Sequence, residues 1–150
     1  TAEKMRFRKM YIMTCMSLRD DILSGESYYF REAKYIKRMI EQIDMGLPIL
    51  CVIDEILKGT NTKERIAASK AILDYVVNEN SLVLVATHDM ELTETEDYEK
   101  YHFESVIEEN DVYFDYKIHD GNSKASNAIA LLELLHFPKK ITECARKNIG

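Results

Sequence analysis

The sequence predicts an α/β fold, a mainly parallel sheet flanked by helices, on three observations. Two unbroken apolar runs, Ile49-Leu50-Cys51-Val52-Ile53 and Leu82-Val83-Leu84-Val85-Ala86, have the length and composition of strands buried on both faces. Between them, Thr62 to Val77 places Ile66, Ala67, Ile72, Leu73, Val76 and Val77 on one helical stripe. Strand, helix and strand joined by short connections form a βαβ unit, which requires parallel pairing and a right-handed crossover.

The other elements follow in chain order. Phe7 to Met16 is a mostly apolar run with Tyr, Ile and Thr, read as a buried strand of about 6–8 residues; the Met-rich beginning of the chain (Met5, Met10, Met13, Met16) suits strand and core packing. Tyr28 to Met45 repeats Ile36, Met39, Ile40 and Ile43 at helical spacing, with Ser27 as N-cap, and Gly46 and Pro48 end the helix. After the second apolar strand come a short acidic helix, strands around Tyr101–Ile107 and Val112–Ile118, and closing helices over Ser126–Leu135 and, past Pro138, Ile141–Lys147.

The bulk properties exclude several classes. At 150 residues, 46% hydrophobic and 31% charged, the chain has the material for one domain with a sizeable core. No window reaches the roughly 18 consecutive apolar residues of a membrane span, and Thr1-Ala2-Glu3-Lys4 does not open a signal peptide, so a cytoplasmic location is expected. Cys15, Cys51 and Cys144 lack metal-ligand spacing and read as reduced thiols. Of the net charge of −6, the stretch Asp89–Asp115 carries −10 and the rest +4. Such an acidic stretch repels a phosphate backbone and is not a nucleic-acid contact. The basic cluster Lys139, Lys140, Arg146 and Lys147 reads as a solvated helix face.

Three segments carry candidate chemistry. The strand Leu50-Cys51-Val52-Ile53 ends in Asp54-Glu55, and the carboxyl ends of parallel strands line the ligand crevice of an open α/β sheet. One acid there can hold Mg²⁺ and the other can activate water; alternatively the pair caps the next helix. The second strand runs into Thr87-His88-Asp89, where an imidazole can hydrogen-bond a phosphate or a water, or serve structure alone. Leu23-Ser24-Gly25-Glu26-Ser27 leads into a helix, as either an anion site or a plain N-cap. Gly59-Thr60-Asn61-Thr62 reads as a turn with Thr62 capping the following helix. His102, His119 and His136 have no partner at ligand spacing and receive no role.

In this order the segments resemble the C-terminal ATPase domain of the MutS family, an ABC-type member of the P-loop NTPase fold. Asp54-Glu55-Ile56 with Gly59-Thr60-Asn61-Thr62 looks like the family's Walker B acids and following turn. Ala86-Thr87-His88-Asp89 looks like its switch-histidine segment, and Asp21 to Ser27 leading to Glu32 like its signature segment. Tyr116-Lys117-Ile118, Gly121, Ser126 to Ile129 and Pro138 to Ala145 are similar to its closing strand and helices. Leu57-Lys58, Glu26 and Tyr28-Tyr29 depart from the mismatch-recognising members and point to a MutS-related branch.

The resemblance implies ATP and Mg²⁺ as cofactors, with Asp54 helping to hold the metal, Glu55 as general base or water-orienting residue, and His88 sensing the γ-phosphate. It implies a composite site in a homodimer, in which Ser27, or Ser24 beside Gly25 in the alternative register, reaches nucleotide on the partner, and Asn61 and Thr62 lie near the interface. Its role would be ATP-driven rearrangement on DNA, in mismatch repair or related DNA maintenance, with DNA held by other parts of the protein. The five glycines, at 25, 46, 59, 121 and 150, include no G-x-x-x-x-G-K-[ST] phosphate loop. Residues 1–150 are thus expected to be the C-terminal portion of the ATPase domain, unable to hydrolyse ATP alone and left with an exposed sheet edge or apolar patch. Two other readings are a dimerisation or regulatory module with degenerate ATPase features, and a metal-dependent phosphohydrolase using Asp54, Glu55, His88 and Asp89.

Overall fold

In the computed structural model, residues 3–16, 27–77, 80–108, 111–123 and 127–149 are described. The chain forms two compact units, Thr1–Asp97 and Tyr98–Gly150. The first holds a three-stranded sheet in the order β1 (Tyr11–Cys15), β2 (Ile49–Asp54), β3 (Ser81–Ala86), with both pairings parallel. Helix α1 (Tyr28–Asp44) joins β1 to β2, and α2 (Thr62–Val76) joins β2 to β3. The parallel α/β arrangement is the one the apolar runs and the intervening stripe imply.

β1 is shorter than the apolar run from Phe7. Its ladder begins where the Tyr11 N–H donates to Pro48 O at 2.8 Å, and proline, having no N–H, offers no donor to extend the pairing. α1 starts at Ser27, whose Oγ accepts from the Phe30 N–H at 3.3 Å. It buries Glu32, Ile36, Met39 and Ile43, spaced by four, three and four residues, on one face. Burying each of the three apolar side chains contributes about 1.5–3 kcal/mol. Gly46 closes the helix at φ +71, where glycine alone avoids a Cβ penalty, and its N–H donates to Ile43 O at 2.8 Å.

The register puts Ile49, Cys51 and Ile53 of β2 on one face, all buried, with Cys15 of β1 beside Ile53. Together with the α1 stripe and Leu73 and Val76 of α2, these side chains make the core of this unit. The other face aligns Ile12, Leu50 and Leu82, then Thr14, Val52 and Leu84. β3 is therefore not buried on both sides as its composition predicts: Leu82 and Leu84 are 51% and 52% exposed. α2 also buries a narrower stripe than expected, Ser69, Leu73 and Val76. Its cap is Asn61, whose Oδ1 accepts from the Lys63 N–H at 3.0 Å, so Thr62 is the first helical residue instead of the cap.

The acidic stretch opens as a 3₁₀ turn, Met90–Glu94, that buries Leu92. In the second unit, β4 (Tyr101–His102) pairs antiparallel with β7 (His119–Asp120), and β5 (Ser105–Glu108) with β6 (Asp111–Phe114). The strand expected over Val112–Ile118 stops at Phe114. There Asp115 Oδ1 accepts the Lys117 N–H at 2.9 Å, a side-chain-closed turn, and Tyr116 takes a left-handed φ of +54. The pairing of β4 with β7 sets His102 opposite His119, with ring centroids 5.5 Å apart; His119 Nε2 lies 2.8 Å from Asp115 Oδ2. The Lys117 N–H, then His119, holds the Asp115 carboxyl below the usual range. α3 (Ala128–Leu134) and α4 (Lys139–Ile149) end the chain, the latter starting directly after Pro138. Ser126 lies outside the described residues.

Candidate functional site

The site is built where β2 and β3 end side by side. Asp54, the last residue of β2, is aligned with Ala86, the last residue of β3. The next N–H, that of Glu55, still donates to Ala86 O at 2.9 Å, so the ladder carries one residue past the strand. Glu55 then turns left-handed at φ +59, as does Leu57 at φ +57. A non-glycine residue in this region costs on the order of 1 kcal/mol or more and persists only where its surroundings compensate.

The turn brings Glu55 to His88, with Oε1 3.5 Å from Nε2. The two side chains differ sharply in solvation: Glu55 is 12% exposed and His88 97%. A sheltered carboxylate thus stands beside an imidazole open to whatever approaches the sheet end. Asp54 is half-buried at the same end. The structure therefore assembles three of the residues singled out in the sequence, Asp54, Glu55 and His88, at adjacent strand termini.

Two further side chains fix the loops that carry them. Glu32 of α1, 1% exposed, accepts the Leu57 N–H on Oε1 at 2.5 Å. Burial pushes its carboxyl up from the ordinary range, against the N–H groups of Leu57 and Lys58 and the charges of Lys58 and Arg65. Arg65 of α2 donates from Nη2 to Asp89 Oδ1 at 2.7 Å, both side chains largely buried, and the Asp89 N–H donates to Thr87 Oγ1 at 3.0 Å. Gly59 lies against the first turn of α1, where an added Cβ would stand 2.9 Å from both the Cβ and the N of Tyr29.

The remaining candidates are more dispersed. Ser27 and Asn61 are helix N-caps, and Thr62 is an exposed first-turn residue. Ser24 and Gly25 lie outside the described residues. Sequence reasoning placed Glu32 only at the end of the signature-like segment, with no role of its own, and did not single out Arg65. Glu32 had a legible signal, since it interrupts the 32–36–39–43 apolar stripe with a charge, whereas nothing in the sequence separates Arg65 from other first-turn cations.

Residues 2–150 match the family model described as MutS domain V. The chain is similar to the protein named DNA mismatch repair protein MutS in Halalkalibacterium halodurans, 32% identical over 139 residues, covering 89% of this chain and 16% of that protein. The protein of the same name in an Exiguobacterium species is 29% identical over 140 residues, with 90% and 16% covered. That of Natronomonas pharaonis is 28% identical over 144 residues, with 93% and 17% covered. The chain thus spans about a sixth of the length of these relatives. Among the described residues no helix is long and apolar enough to cross a membrane. Matched by the domain V model from residue 2 to residue 150, this chain belongs to the MutS family.

Proposed function

We propose that this chain supplies the acid-and-histidine half of a MutS-type ATPase site, within a P-loop NTPase domain of ABC type. The observation that carries the proposal is the pairing of Glu55 with His88, 3.5 Å apart across neighbouring strand ends. In this reading the sheltered Glu55 carboxylate accepts a proton from the attacking water. His88, exposed at the crevice, donates a hydrogen bond to the terminal phosphate.

The donor chemistry at the sheet end fits magnesium. Asp54 offers hard carboxylate oxygens, and no group of three or more His, Cys, Asp or Glu side chains converges among the described residues. Mg²⁺ ordinarily binds through one or two carboxylates with phosphate oxygens and water completing its octahedron. When bound, it would neutralise charge on the phosphate oxygens. The cradle for the triphosphate comes, in this reading, from polypeptide outside these 150 residues, because the chain has no G-x-x-x-x-G-K-[ST].

The partner subunit's nucleotide would meet the start of α1. Ser27 Oγ accepts from the Phe30 N–H, and a hydroxyl that accepts can also donate. Asn61 and Thr62 would lie near the dimer interface. The role proposed for the whole protein is ATP-driven rearrangement on DNA, in mismatch repair, for which its relatives are named, or in a related process.

ATP turnover in the full-length protein, compared with its Glu55→Gln variant, tests this. Loss of turnover by about 10²–10⁴-fold at unchanged ATP binding is expected. The 150-residue chain alone should show no turnover. Turnover insensitive to Glu55→Gln would overturn the assignment, and ATP-independent dimerisation without turnover would establish the regulatory-module reading instead.

A further inference from the structure

We infer that Glu32 and Arg65 form a buried positioning pair that ties the loop carrying Glu55 to the loop carrying His88. This inference rests on the ATPase reading for its catalytic consequence, and on the structure alone for the coupling.

The two residues grip the two loops from different helices. Glu32 reaches from α1 and holds the Leu57 N–H, between the left-handed Leu57 and the rest of the turn that aims Glu55. Arg65 reaches from α2 and holds Asp89, the neighbour of His88, while Thr87 holds the Asp89 N–H. Three buried side-chain atoms have no hydrogen-bond partner among the described residues, Oε2 of Glu32, Nε of Arg65 and Oγ of Ser69, and two of them belong to the gripping side chains. One is an acceptor and the other a donor. A native interior rarely leaves such atoms unmatched, because each then bears its full desolvation cost. The Arg65 charge acts on the Glu32 carboxyl.

In this inference a shared water or a small side-chain movement satisfies the acceptor and the donor together. Closing that link joins α1, the Glu55 loop, α2 and the His88 loop into one hydrogen-bonded path. The start of α1 carries Ser27, the residue proposed to meet the partner subunit's nucleotide. Nucleotide docking at Ser27 would then reach the catalytic pair of its own subunit through Glu32 and Arg65. Neither residue touches the reacting atoms in this scheme, so both are positioning residues.

Hydrogen exchange by mass spectrometry on the full-length protein tests the coupling without any activity. Glu32→Gln keeps a carbonyl for Leu57 but removes the charge, and it should speed exchange in segment 86–90 as well as in 55–58. Arg65→Gln should speed exchange in 55–58 as well as in 86–90. If each variant loosens only the loop it touches, the coupling is overturned, whatever the enzyme does.

ATP turnover tests the consequence. Either single variant should lower kcat by about 10- to 100-fold with KM for ATP changed less than about twofold. The double variant should fall no further than the worse single, because both break one link. Arg65→Lys, which keeps the charge, should recover part of kcat. Additive losses, or a KM effect without a kcat effect, would reject the positioning role. Wild-type protein that hydrolyses no ATP, or a Glu55→Gln variant as active as wild type, would reject the ATPase reading while exchange still decides the coupling.

Discussion

Gly59→Ala isolates how tightly the Glu55 loop is pressed on α1. A Cβ at Gly59 would stand 2.9 Å from Tyr29 Cβ and 2.9 Å from Tyr29 N, with Tyr29 Cα at 3.1 Å. Carbon atoms pack at about 3.5–4.0 Å, so one element must retreat by roughly 0.6–1 Å. None of the three opposing atoms lies at the flexible end of a side chain, so rotamer change gives no relief. Overpacking of this kind costs about 1–3 kcal/mol, and the stiffer unfolded chain of alanine returns at most about 1 kcal/mol. The net expectation is a loss of about 1–2 kcal/mol. For a chain of this size that lowers Tm by roughly 2–8 °C, measured by far-ultraviolet circular dichroism. The same displacement moves Leu57 away from Glu32, so the Leu57 amide should lose exchange protection in parallel. An unchanged or raised Tm would refute the close approach on which the loop's placement depends.

Two other outcomes follow from the chemistry of individual positions. His136 lies just past the end of α3 at φ +58, where its N–H donates to Glu133 O and the Phe137 N–H donates to Leu132 O, each at 3.0 Å; His136→Gly keeps both bonds, removes the left-handed penalty and should stabilise the chain by about 1 kcal/mol in a denaturant titration. Burial pushes the thiols of Cys15 and Cys51 up to about 11, while Cys144 is exposed, so a thiol reagent should modify one cysteine in native protein and three in denaturant. Because these folded-state values lie above the ordinary value near 9, the stability due to the buried protonated thiols is complete below pH 9 and is lost as pH rises from 9 to 11, on the order of 2–3 kcal/mol for each.

The parts of this fold governed by local chemistry were legible in the sequence. The run from Ile49, the stripe through Ile36, Met39 and Ile43, and the Ser27 and Gly46 caps each obey a rule of period or capping, and the structure places them with boundaries shifted by a residue or so. Asp54 and His88 were legible for a related reason, since parallel strands must deliver their carboxyl ends to one edge. What escaped depends on three-dimensional neighbours. Leu82 and Leu84 are as apolar as any buried strand residue, and composition cannot show that these 150 residues leave one sheet face uncovered. The strand expected beyond Val112 fails for a local reason instead, because the Asp115 side chain captures the N–H of Lys117 two residues on, a turn that competes with the ladder.

Glu32 shows why an exception to pattern is informative. Its folded-state carboxyl lies above the ordinary value because burial dominates, so any stability it contributes is present at acid pH and lost as pH rises through that value. Burial of that carboxyl is a cost, offset in part by its bond to the Leu57 N–H. The apolar stripe on either side would pack a leucine at position 32 without that cost. Yet the Glu55 turn uses two left-handed non-glycine residues, and a neutral apolar side chain could not hold the Leu57 N–H between them. The sequence thus accepts a buried carboxylate and a strained loop together, in the segment that aims Glu55 at His88. The strained Glu55 and Leu57 and the desolvated Glu32 meet at one turn, as the role proposed for Glu55 requires.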